Sequence, residues 1–292
     1  MNHTTKYSIE FRLQGNELDE ESGYDLYYLS QNLHAFQQLI DKTYTTLKND
    51  NNNKRENLRV KVHNIRSGSF LADIYIEVAM VMGSLLPIVT EVNAKTIWDT
   101  AKLSFEYLKA ILNANRRGES LSTVVTESSN VNIVNANGDV IISVHPDVIR
   151  VANQNYPTFK KIASLINEKG EEFTKATFKP VNSEIENAIE IGVEEKVLLQ
   201  NKSIIEEEPI RFKGKIFKAD AEKLNGKMKV YGNSSIIEDG EYNFEFLDKS
   251  KIIMKDYFDV ECEFLALKQT EFKPDTLNKY IKQLKIISVE KL

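Results

Sequence analysis

Lys95, Lys102, Lys109 and Arg116 recur every seven residues, with Arg117 beside the last. Seven residues are nearly two helical turns, so a helix here carries these cations as one stripe. A row of fixed positive charge can hold a polyanion, and nucleic acid is the obvious one. The plainer alternative is an amphipathic helix whose lysines face water. A second basic set lies in "RFKGKIF" and "KMKVY". Strand alternation puts Arg211, Lys213 and Lys215 on one face and Lys227, Lys229 and Tyr231 on another. If these strands pair, they form a basic patch with one aromatic, of the kind single strands stack on. An ordinary solvated sheet face explains the same lysines.

Catalytic chemistry has no comparable footing. The chain contains no Gly-rich phosphate loop ending in Lys-Ser/Thr, no G-x-G-x-x-G, no His-Glu-x-x-His and no G-x-S-x-G. His3, His34, His63 and His145 are scattered without acidic or cysteine partners at ligand spacing. The carboxylates of "LDEES" and "EEEP" read as solvated loops or helix starts. The expectation is therefore no enzyme, no metal and no cofactor. The single cysteine, Cys262, excludes an internal disulfide and fits a reducing cytoplasm. The start, "MNHTTKYSIEF", lacks the apolar run of a secretory signal. A formal net charge of -5 says little about partners, since a mildly acidic chain can carry a local basic stripe.

The elements that must position these residues fall into four regions of an α+β chain. Residues 1–78 read as a β-α-β-β unit. "KYSIEFRL" alternates as a strand, Leu26–Tyr44 has helical apolar spacing, and "LRVKVHNI" and "FLADIYIEV" are two further strands. In the last, Phe70, Ala72, Ile74, Ile76 and Val78 share one face. Residues 79–117 hold an apolar segment and a long helix. Residues 118–202 form a connector. It has two short strands around "NANGD", where Asn-Gly signals a hairpin, and a helix opened by Pro146 and interrupted by Pro157. Residues 203–292 consist of short alternating runs and predict a small β-barrel-like domain, with an oligonucleotide-binding barrel as one candidate.

Two features point to assembly. Trp98, Ala101, Phe105, Leu108 and Leu112 recur at spacings of three and four, the pattern of a two-position heptad seam. This predicts a subunit contact, or residues packed under one, with the basic stripes of several copies brought together around a bound anion. Before the helix, Val78–Thr90 carries no charge. It is shorter than the ~20 residues a membrane-spanning helix needs. Val78, Met80, Met82, Leu85, Leu86 and Ile88 could nonetheless line a multi-subunit pore.

The order "RSGSFLADIYIEV", apolar segment with helix, "NVNIVNANGDVIISV" and C-terminal β domain resembles the effector subunit of the bacterial Hailong anti-phage defence systems. The resemblance covers most of the chain and is one of arrangement. It implies a homo-oligomeric, tetrameric membrane channel held shut by single-stranded DNA oligomers that a partner nucleotidyltransferase makes. The location it implies is the bacterial cell membrane. The reading from the residues alone is a cytoplasmic, soluble single-stranded nucleic-acid-binding protein with an oligonucleotide-binding-type barrel.

Overall fold

The computed structural model describes residues 3–16, 18–19, 23–49, 57–66, 70–80, 92–126, 129–167, 172–182, 184, 187–231, 237–248 and 253–292. The chain forms two compact units, Met1–Gln200 and Asn201–Leu292. The first unit takes in residues 1–78, 79–117 and all but the end of 118–202.

In chain order the first unit holds β1 (His3–Gln14), β2 (Leu18–Asp19), β3 (Gly23–Tyr24), α1 (Leu26–Leu47), β4 (Leu58–Arg66) and β5 (Leu71–Met80). There follow α2 (Ala94–Arg116), β6 (Leu121–Val125), β7 (Val131–Asn135), β8 (Val140–Val144), α3 (Pro146–Leu165), β9 (Lys175–Pro180), β10 (Ile189–Ile191) and α4 (Val193–Gln200). The main sheet runs β10-β9-β1-β5-β4, every neighbour antiparallel. Strands from residues 175–191 complete it, so the sheet is not closed within residues 1–78.

Alternation makes one face of this sheet apolar. Ile9, Phe11 and Leu13 of β1 and Ala72, Ile74, Ile76 and Val78 of β5 are buried. Helix α1 packs on the unit's core through Phe36, whose ring stacks on Phe178 of β9 at 5.2 Å and meets Phe11 edge-on at 6.1 Å. Helices α1, α2 and α3 each begin where a polar side chain accepts from free backbone N–H groups. Asp25 does so for Tyr27 and Tyr28, Asn93 for Thr96, and His145 for Asp147.

Helix α3 runs unbroken through Pro157, contrary to the expected interruption. The proline removes one N–H, and contacts to α1 hold both sides of that gap. Asn155 Nδ2 donates to Thr43 Oγ1 (2.9 Å), while Lys42 Nζ donates to Thr158 Oγ1 (2.8 Å) and to the Gln154 carbonyl (3.1 Å). Strands β6-β7-β8 form a separate small antiparallel sheet. Its β7–β8 turn uses Gly138 at φ +87°, and the Asn135 side chain accepts from the N–H groups of Asn137 and Asp139.

The second unit contains β11 (Ile204–Ile205), β12 (Ile210–Asp220), β13 (Asn225–Tyr231), β14 (Gly240–Phe246), β15 (Glu261–Lys273) and β16 (Asn278–Lys291). β12 pairs antiparallel with β13 and β15, β13 with β14, and β15 with β16. One parallel pairing, β14 with β16, closes a five-stranded barrel. β11 adds to β15 outside the ring. Inward residues fill the barrel, among them Phe212, Ile216, Met228, Phe244, Phe246, Cys262, Phe264, Leu284 and Ile286. Closure pairs the backbone of every barrel strand on both sides. The outer face is left to the residues that alternate with this core.

Candidate nucleic-acid interface

On the barrel's outer face, β12 presents Arg211, Lys213 and Lys215, and β13 presents Lys227, Lys229 and Tyr231. The strands pair with Lys213 opposite Tyr231 and Lys215 opposite Lys229. Carboxylates in and just before the next strand, β15, pair with two of these five cations. Arg211 Nη1 lies 3.5 Å from Glu263, and Lys215 Nζ lies 2.9 Å from Asp259. The Asp259 hydrogen bond raises the Lys215 pKa above the usual lysine value. The Tyr231 phenol is pushed up first by burial and then by the Glu261 charge.

Two further lysines lie at the other end of the two strands. The β12–β13 register shifts between Ile216 and Lys218. A bulge adds one residue to a strand and breaks its alternation. Ile216 therefore faces the core, Phe217 and Lys218 both face solvent, and Ala219 packs back on the core. Lys218 thereby sits opposite Lys227. Among the described residues neither lysine has a carboxylate within ion-pair distance. Like charges directly across a strand pair repel. Strict alternation turns Lys218 inward, which is why sequence reasoning missed it.

Lys218 and Lys227 line a groove of about 390 Å³ with Asn225, Gly226, Asn243, Phe244, Lys282 and Gln283. Thus β12, β13, β14 and β16 all contribute, and no carboxylate lines it. Gly226 permits the close approach of β12, since a Cβ there would collide with the Lys218 carbonyl oxygen. Lys282 is tied at the rim. Its Nζ donates to Glu271 at 2.7 Å, which raises its pKa. The groove therefore offers three cations and three carboxamides. Such a set can bind anionic oxygens and polar edges. Lys227 is the one residue of the expected patch that lines it.

The α2 stripe has a different fate. Lys95 Nζ pairs with Asp99 at 2.5 Å, Lys102 with Glu106 at 2.8 Å, Lys109 with Glu195 of α4 at 2.7 Å, and Arg117 with Glu119 at 2.5 Å. Arg116 is exposed at the end of the helix. Each of the three lysines and Arg117 thus lies beside a carboxylate of its own chain.

The seam residues lie in the core of the single chain. Trp98, Ala101, Phe105, Leu108 and Leu112 are all at most 3% exposed within the single chain. Phe105 meets Phe159 of α3 at 5.0 Å. A three-four spacing serves an intrachain helix pair as well as a coiled coil, and α3 takes the place of a second copy.

Of the expected pore residues, Val78 is buried in the main sheet and Met80 ends β5. Met82, Leu85, Leu86 and Ile88 lie outside the described residues. Among those described, no helix is long and apolar enough to cross a membrane, and no group of His, Cys, Asp or Glu could hold a metal ion. No protein-family model, curated protein or solved structure matches this chain.

Proposed function

We propose that the C-terminal barrel binds an oligonucleotide, with phosphates held in the groove by Lys218, Lys227 and Lys282. The observation that carries the reading is the opposed pair Lys218–Lys227, solvent-facing, without carboxylate partners among the described residues, in a groove lined by amides and a third lysine. A phosphate between the two ammonium groups relieves their repulsion and makes charge-assisted hydrogen bonds. The topology supports the same reading. A five-stranded barrel closed by one parallel pair, third strand to fifth, has the connectivity of the oligonucleotide-binding fold. That fold takes its ligands on the face of the second and third strands, here β13 and β14. The reading keeps the nucleic-acid half of the expectation drawn from the Hailong effectors. The channel half rests on residues 81–91, outside those described.

The test is fluorescence anisotropy of a labelled oligothymidylate of about 15 nucleotides, within the site size of such barrels. The double variant Lys218→Glu/Lys227→Glu is expected to bind at least about tenfold more weakly. Its salt slope should fall by about 1.4, at ~0.7 per single-strand phosphate contact. Unchanged affinity and slope overturn the proposal.

A further inference from the structure

We infer that Phe217 is a base-stacking platform, so that the groove takes a single strand through both its phosphates and its bases. This rests on the oligonucleotide reading above and adds the ligand class. Phe217 faces outward by the alternation of β12, and the bulge turns Lys218, its neighbour in the chain, to the same outer face. An unbroken strand places one of two consecutive residues inside. Here the inserted residue sets an aromatic ring and an unpaired cation side by side on one surface.

Phe217 is 39% exposed, the most solvent-open side chain in β12 among its apolar residues. It belongs neither to the buried core cluster nor to the partly buried side chains packed against it. No ring partner lies beside it among the described residues, and more than a third of its surface is open to solvent. A single exposed phenylalanine is unremarkable by itself. Its position next to a lysine that lines a carboxylate-free groove gives it a use. Every base has a π-face, so a ring there binds with little sequence preference, while the lysine takes the adjoining phosphate. A base inside a duplex is already stacked on its neighbours and cannot cover the ring. The arrangement therefore selects an unpaired strand. The phenolic ring expected to stack, Tyr231, is committed elsewhere on the barrel, beside Glu261.

The experiment compares three probes on the full chain by anisotropy or competition: an oligothymidylate, an abasic oligomer of the same length, and inorganic polyphosphate. Phe217→Ala is expected to weaken oligothymidylate binding about tenfold, the scale of one stacked base. It should leave the abasic and polyphosphate affinities and the salt slope unchanged. Phe217→Trp is expected to retain affinity, with its added indole emission quenched by the bases. Unreactive Cys262 in each variant verifies that the barrel is folded. If Phe217→Ala binds oligothymidylate as the parent does, while Lys218→Glu/Lys227→Glu does not bind, the stacking inference fails and the phosphate groove stands. If neither variant alters binding, both fail.

Discussion

Replacing Phe105 by alanine separates an intrachain core from an interchain seam. The ring is 3% exposed, lies 5.0 Å from Phe159 at an interplanar angle of 47°, and has Lys109 Nζ 5.6 Å from its centroid. Truncating a buried phenylalanine costs about 3–5 kcal/mol, including the cavity left behind. Loss of the ring pair accounts for roughly 0.5–1.5 kcal/mol of that. Trp98, the sole tryptophan, is 1% exposed on the same helix and reports unfolding of the first unit by its emission. With a urea slope of ~2 kcal/mol per molar, the Trp98 midpoint should fall by about 1.5–2.5 M. Light scattering should give the same mass for parent and variant. An unchanged Trp98 transition together with a lower mass would refute the reasoning, because the ring would then face a second copy rather than α3.

Two further outcomes follow from the same packing. Burial pushes the Glu195 carboxyl up, but the Lys109 ammonium at 2.7 Å and the Gly192 N–H at 3.1 Å outweigh it, leaving the pKa below the ordinary 4.5. A depressed carboxyl contributes stability that is present above its unfolded pKa and lost as pH falls through the folded one. Acidification below about pH 4.5 should therefore lower the Trp98 midpoint, and Glu195→Gln should flatten that part of the profile; an identical profile in the variant removes Glu195 from the account. Gly226→Ala should force β13 away from β12 and destabilise the barrel by roughly 1–3 kcal/mol, as overpacking does. The readout is Cys262, fully buried with its thiol pushed up by burial, which should react with a thiol reagent at lower urea while the Trp98 transition stays put. Equal labelling of parent and variant across the urea series would show that the strands have room for the methyl group.

The legible parts were those governed by period alone. Alternation in Phe70–Val78 assigned the buried face of β5 residue by residue, and alternation in 211–215 and 227–231 assigned the outer face of the barrel. Where two physical arrangements share one period, the sequence was ambiguous. The spacing Trp98–Ala101–Phe105–Leu108–Leu112 serves α3 of the same chain as well as a helix of a second copy. Charge neutralisation was illegible for a different reason. Glu195 lies 86 residues from Lys109 and Asp259 lies 44 from Lys215, so no local pattern relates them. The groove was hidden by the bulge at Phe217. One inserted residue moved Lys218 from the expected inner face to the outer, and Lys282 reached the same groove only through the closure of β14 on β16.

The most direct test of where nucleic acid sits is photo-cross-linking of an oligomer carrying iododeoxyuridine to the full chain, with the linked peptides mapped by mass spectrometry. Covalent capture reads position rather than affinity, so it separates the barrel groove from the cationic face of α2. The account expects cross-links on the peptides that contain Phe217–Lys218, Asn225–Lys229 and Lys282–Gln283, all suppressed by Lys218→Glu/Lys227→Glu. Cross-links concentrated within Ala94–Arg117 and unaffected by that variant would contradict it.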